Sequence, residues 1–177
     1  MKLNSLKWIT LKVLIFLVFY SILHFLWVLV PIVPFAIIAG TSESVMQHMK
    51  LAFYAYIFTT IVEYLIFRKT DELDSDYLFV RIFSSILIGW LELLIWYIVP
   101  VFIEDFGPLW VELTYSFVVL ILCVIWLSIF ELNSNIKFSK NVKILIITLL
   151  VITIFIYTAY SFMEPFLDVF HVPDHTH

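Results

Sequence analysis

Thr41-Ser-Glu-Ser-Val-Met-Gln-His-Met-Lys50 is a polar island between two long apolar runs, and it holds a carboxylate, an imidazole and an ammonium at Glu43, His48 and Lys50. Three further ionisable groups, His24, Glu92 and Glu112, stand inside apolar runs elsewhere in the chain. Neutral imidazoles with carboxylates and no thiolate are a ligand set for first-row divalent metals, Zn or Cu before Mg. His24, His48 and Glu92, with Glu43 or Glu112 as a further ligand or base, would hold one metal and leave a position for water, the chemistry of metal-dependent hydrolysis. Glu43 or Glu92 would then be the general base, and Lys50 would hold an anionic head group. No His-Glu-x-x-His run occurs, so the ligands must come from separate segments. A second chelating group is the tail, where His171, Asp174, His175 and His177 have the spacing of a Cu or Zn binder.

Each of these residues has a competing packing role. His24 can hydrogen-bond a neighbouring helix, Glu43 can favour a helix start through the dipole, and Lys50 can snorkel to the membrane edge. Glu92 is the hardest to place in this way, because a carboxylate deep in an apolar run is protonated, paired or functional. Glu63 and Arg81 fall at similar depth and are expected to form a structural ion pair.

The elements that position these groups follow from composition. With 63% hydrophobic and 14% charged residues and a mean hydropathy of +1.07, the chain is too apolar for a water-soluble domain, whose charged share is roughly a quarter. Unbroken apolar runs predict an all-α integral membrane bundle with five transmembrane helices, at about 13–30, 45–67, 77–99, 108–130 and 144–163, each near the ~20 residues that a bilayer requires. The whole of 1–177 reads as one domain, and its lysine-flanked first run as a retained helix, since no small-residue cleavage pattern follows it. Pro31 to Gly40, with two prolines and a glycine, reads as a short surface or partly re-entrant connector rather than a helix. Thr41 or Ser42 is then expected to cap the second helix, with Glu43 in its first turn. Residues 164–177 read as a short interfacial helix and a tail, with Phe166, Leu167 and Phe170 on one face.

Nine of the ten Lys and Arg residues fall on one side of this layout and only Lys50 on the other. The asymmetry puts the N-terminus in the cytoplasm and the C-terminus outside. All five histidines and Glu43, Glu92 and Glu112 then lie in the outer half, with His24 and Glu92 about 10 Å below the outer boundary and His48 and Glu112 about 5 Å below it. Ser44, His48, Ala52, Ala55, Thr59 and Glu63 form a small and polar stripe, as do Arg81, Ser85, Gly89, Glu92 and Trp96, and Thr153, Tyr157, Tyr160 and Glu164. Such stripes are expected to face the bundle interior and to form a polar pocket open to the outside.

From Leu23 to Tyr64 the chain resembles an uncharacterised prokaryotic family of small multi-pass membrane proteins, in which a His-Phe pair precedes a Glu-Ser-x-x-x-His-x-Lys run and then Ile-Glu-Tyr. The matching residues are His24-Phe25, Glu43-Ser44, His48, Lys50 and Glu63-Tyr64. The chain departs from that pattern at Thr41-Ser42, where Val-Asn is expected, and at Gln47, where Glu is expected. The resemblance implies a multi-pass protein of a prokaryotic plasma membrane and carries no reaction with it. The residues themselves point to a divalent-metal site acting on a lipid or membrane-soluble substrate. The alternatives are an accessory subunit that packs against other membrane subunits through its 18 Phe and small-residue stripes, and a proton- or ion-coupled carrier. A net charge of -4 argues against a nucleic-acid partner.

Overall fold

The computed structural model describes residues 3, 5–70, 73, 76–99, 101–102, 107–134 and 137–163. Among them are six helices and no strand: α1 Leu6–Leu29, α2 Val33–Ile38, α3 Val45–Phe67, α4 Tyr77–Trp96, α5 Leu109–Asn133 and α6 Lys140–Tyr160. All but the short α2 are long and apolar enough to cross a membrane. Phe25, Trp90, Leu94, Phe117, Trp126 and Phe155 lie exposed on the outside of the bundle, a surface that water would not tolerate and lipid does.

α3 is the central helix. It packs most extensively on α4 and α1, while α4 also meets α5 and α6. Its small residues Ala52 and Ala55 are fully buried, and so are Phe16 of α1, Ile88 of α4 and Cys123 and Val124 of α5. Most of two expected stripes faces inward: Ser44 at the cap of α3, Ala52, Ala55, Thr59 and Glu63 on α3, and Arg81, Ser85, Gly89 and Glu92 on α4 are buried, whereas His48, Trp96, Thr153 and Tyr160 are only half-buried and Glu164 lies outside the described residues. On α6 only Ile146 and Tyr157 are buried, so this helix lies at the edge of the bundle.

The helix limits differ from the sequence expectation in an informative way. α1 starts at Leu6, where Ser5 caps it by accepting the Trp8 amide, and not at 13; α5 runs on to Asn133 and not 130; α6 starts at Lys140, capped by Ser139, and not at 144. Charged Lys12 and Glu131 are therefore inside helices. The expected non-helical connector contains α2, which accommodates Pro34 in its first turn, where the missing amide costs no intrahelical bond. The cap of α3 is Ser44 and neither Thr41 nor Ser42. Glu43 thus precedes the helix and does not sit in its first turn. The Gln47 side chain accepts the Thr41 amide at 3.4 Å, and the Ser44 carbonyl accepts the His48 amide at 3.2 Å, so the chain turns into the helix only after Glu43.

At the other end, Asp76 caps α4, accepts the Phe138 amide at 3.3 Å and pairs with Lys143 of α6. The Lys143 ammonium beside it holds the Asp76 carboxyl below the usual carboxylate range.

Candidate functional site

The late start of α3 frees the Glu43 side chain to reach across to α1. One carboxylate oxygen lies 3.7 Å from His24 Nε2 and the other 3.5 Å from His48 Nε2. The two imidazoles lie nearly parallel, with centroids 5.6 Å apart and planes at 27°, and Phe25 packs edge-on against His24 at 4.9 Å. Ligand atoms of His24, Glu43 and His48 all lie within 4.8 Å of one another. The group stands at one end of the bundle, with side chains 25%, 64% and 29% exposed in that order.

The hydrogen bonding of His48 fixes its chemistry. Its Nδ1 lies 3.1 Å from the Ser44 carbonyl, which can only accept, so Nδ1 carries a proton and donates. In the neutral ring Nε2 is then an acceptor that faces a carboxylate oxygen. A cation shared between them, a proton or a metal, reconciles the two acceptors. The 3.7 and 3.5 Å separations run to different oxygens of Glu43, and the ligand atoms of the three residues spread over up to 4.8 Å; bonds of about 2.0–2.1 Å in a tetrahedral site would set neighbouring ligand atoms about 3.3 Å apart, so the group would draw together to hold a metal. Glu43 itself lies outside the spanning helices, and its carboxyl is held below the ordinary range, first by hydrogen bonding with His48.

Glu92 is not in this group. It lies behind it on α4, 4% exposed, with Oε1 accepting the Tyr20 hydroxyl at 3.4 Å and Oε2 bonded to nothing. Tyr20 in turn lies parallel to His24 one turn along α1, with centroids 6.5 Å apart and planes at 9°. Lys50, expected beside Glu43 and His48, is bonded elsewhere. The residue is 1% exposed, and its ammonium donates to the Ala36 carbonyl of α2 at 3.0 Å and to Ser161 Oγ at the end of α6 at 2.7 Å. Gln47 adds a donor to the Tyr160 carbonyl at 3.1 Å, so the first turn of α3 ties α2 and α6 to the bundle. Glu112 is in the first turn of α5, outside the three-residue group. His171, Asp174, His175 and His177, and the expected interfacial helix, lie outside the described residues. Two surface grooves of about 300 and 200 Å³ are apolar and are lined by other residues, among them Phe79 and Ile144 in one and Leu91 and Trp126 in the other. The His24, Glu43 and His48 group is an open cluster at one end of the bundle.

Residues 1–175 match the model of DUF6512, a family of unknown function. The chain belongs to that family. No curated protein and no solved structure matches it.

The DUF6512 match extends well past the Leu23–Tyr64 stretch, and the opposite end of this DUF6512 chain has a second polar cluster that sequence reasoning resolved only in part. The expected pair is present, with Arg81 Nε 2.7 Å from Glu63 Oε1. Lys12 joins it from α1, 3.3 Å from Glu63 and 2.5 Å from Glu131 of α5, and Arg81 also lies 3.3 Å from Glu131. Trp8 Nε1 and the Tyr77 hydroxyl donate to Glu63 at 2.8 and 2.7 Å, and the Tyr56 hydroxyl donates to Glu131 at 2.7 Å. The Lys12 ammonium and the Arg81 guanidinium lie over the rings of Tyr56 and Tyr77. Two cations and two anions from four helices thus neutralise one another in a buried place. Such an arrangement fixes how the helices meet and leaves the His24, Glu43 and His48 cluster as accessible chemistry among the described residues.

Proposed function

We propose that this chain is an integral membrane protein of a prokaryotic plasma membrane, N-terminus in the cytoplasm and C-terminus outside, whose outward end binds a divalent metal, Zn or Cu, at His24, Glu43 and His48. One observation carries the reading: the two oxygens of a single carboxylate each face an imidazole Nε2, while the other nitrogen of His48 is committed to a backbone carbonyl. That is how proteins orient a histidine for a metal. Three protein ligands on an exposed mouth leave a coordination position for water or for a head group at the membrane surface, which suits metal-assisted chemistry on a lipid or another membrane-soluble substrate. The nine-to-one distribution of Lys and Arg supports the orientation.

Elemental analysis of the detergent-purified protein tests this directly. The wild type is expected to retain Zn or Cu, Glu43→Gln and His48→Ala each to lose it, and a variant ending at Asp168 to keep it. Metal in neither wild type nor reconstituted samples, or metal that survives the Glu43→Gln/His48→Ala double substitution, would overturn the reading. Acid should release the metal. Glu43 has a depressed value, so its contribution is present above the ordinary carboxylate range and is lost only as the pH falls through that lowered value. Histidines ordinarily take up a proton near pH 6.5, so affinity is expected to fall from about pH 6.5 downwards, before Glu43 titrates.

A further inference from the structure

α6 lies at the edge of the bundle, and its first two turns do not close against α4. There Lys140, Lys143, Ile144, Ile147 and Thr148, which share one helical face, form with Phe79 of α4 a groove of about 300 Å³. From Lys140 to Thr148 this face runs about 12 Å along the helix axis. That is most of the roughly 15 Å that one leaflet of a 30 Å hydrocarbon core offers.

The groove changes character along its length. At its deep end Thr148 gives its hydroxyl to the Ile144 carbonyl at 2.9 Å, which leaves a methyl group, with Ile144 and Ile147, to form an apolar floor. At its shallow end stand two ammonium groups. Lys143 pairs with Asp76, which is itself fixed by the Phe138 amide at 3.3 Å, and its Nζ lies 4.9 Å from the centre of the Phe79 ring. An ammonium has three donors, so Lys143 is held in place and still able to bond a second acceptor. Lys140, one turn earlier, is exposed and has no hydrogen-bond or ion-pair partner among the described residues, and Lys137 before it is exposed too. Asp76 offsets one of these three positive charges. The second groove, around Leu91 and Trp126, has no charged residue in its lining, so nothing there selects one apolar occupant over another.

Charge complementarity and shape together select the occupant of the first groove. A soluble anion has no use for the apolar floor, and a neutral lipid has none for the cations. A lipid with an anionic head group uses both, as in the basic pockets between membrane helices that bind such head groups on the cytoplasmic side. We propose that the groove between α4 and α6 binds one anionic phospholipid, with its phosphate on Lys140 and Lys143 and an acyl chain along Ile144, Ile147 and Thr148. The site is independent of the metal. Only its assignment to the cytoplasmic leaflet rests on the orientation proposed above, which cysteine labelling tests separately.

The experiment is native mass spectrometry of the detergent-purified full chain with added phosphatidylglycerol, phosphatidylcholine of the same acyl chains, or glycerol 3-phosphate. The wild type is expected to take up one phosphatidylglycerol more tightly than phosphatidylcholine and to leave glycerol 3-phosphate unbound. Lys140→Gln has no hydrogen bond or ion pair to lose, so its thermal midpoint should stay unchanged while phosphatidylglycerol binds about fivefold more weakly, the effect of one lysine at a membrane surface. Lys140→Gln/Lys143→Gln is expected to weaken it roughly 25-fold. Ile147→Trp, which puts a ring into the groove and keeps both charges, is expected to weaken both lipids. Equal affinity of the wild type for the two lipids, or phosphatidylglycerol binding unchanged in the double variant, would overturn the proposal by removing the head-group contact. Glycerol 3-phosphate bound as tightly as phosphatidylglycerol would overturn it in favour of a phosphate site without a lipid, and lipid binding untouched in Ile147→Trp would overturn it by placing the lipid outside the groove.

Discussion

Gly89 shows how tightly the bundle is drawn together around Glu92. A Cβ at this position would lie 2.8 Å from the Tyr157 hydroxyl, 3.0 Å from the Met49 carbonyl oxygen and 3.2 Å from the Met49 Cβ. Alanine in place of glycine ordinarily stabilises a helix by up to about 1 kcal/mol. Here the sign should reverse, because one of the obstructing atoms belongs to the backbone of α3 and cannot swing away. Gly89→Ala is expected to lower stability by roughly 1–3 kcal/mol, read as a drop in the thermal midpoint in detergent. Tyr157→Phe in the same chain should restore part of it by removing one of the crowding oxygens. An unchanged midpoint in Gly89→Ala would refute this close approach of α4 to α3. The inward direction of Gly89 is legible in the sequence, since it continues the stripe of Arg81, Ser85 and Glu92. Its partner Tyr157 is not, because spacing along one helix says which side is buried and nothing about which helix lies opposite. Lys50 illustrates the same limit. Its nearness in sequence to Glu43 and His48 suggests a shared site, yet two residues along a helix turn a side chain to another side, and its ammonium goes to α2 and α6.

Helix ends account for most of the remaining difference between expectation and structure. Hydropathy windows stop where charges begin, so Lys12 and Glu131 fall outside the spans drawn from sequence although both are buried in α1 and α5. Their burial is compensated by one another and by Glu63 and Arg81, an interaction between helices that no single stretch of sequence encodes. The Glu63 and Arg81 pair was legible because both charges stand well inside apolar runs, where an unpaired charge is costly. Removing one member should therefore be worse than removing an oppositely charged two. Lys12→Met leaves one cation among two buried carboxylates and is expected to destabilise by roughly 3–5 kcal/mol. Lys12→Met/Glu131→Gln leaves Arg81 with Glu63, neutral again, and should recover much of that loss. Thermal unfolding in detergent, read beside the monodisperse yield, tests this. A double variant no more stable than Lys12→Met alone would show that geometry and not charge balance holds the four helices.

The alternation of the long helices puts the two polar clusters at opposite ends of one molecule. Lys12 and His24 are 12 residues apart on α1, about 18 Å along its axis, and the layer between them contains Phe16, Ala52, Ala55, Ile88 and Val124, all fully buried. That separation gives the bundle a sealed middle, a charge-locked end and an accessible end, which suits a surface-facing binding site better than a passage. It also makes the proposed orientation decisive for function, because among the described residues the accessible His and Glu cluster lies at one end. Arg68 and Lys69, exposed just past the end of α3, and Lys140, exposed at the start of α6, lie at the same end as the charge lock, where cytoplasmic positive charge is expected. In a Cys123→Ser background, which removes the one buried free thiol, Ser42→Cys marks the end with His24, Glu43 and His48, and Lys69→Cys marks the other. A membrane-impermeant maleimide added to intact cells is expected to label Ser42→Cys and to spare Lys69→Cys, with the pattern exchanged in inside-out vesicles. The opposite pattern would place the His and Glu cluster in the cytoplasm, where the metal would be drawn from the buffered intracellular pool and not from the medium. An intracellular site would have to compete with that pool, so the labelling result also sets which metal concentrations are relevant to the analysis of the Glu43 and His48 variants.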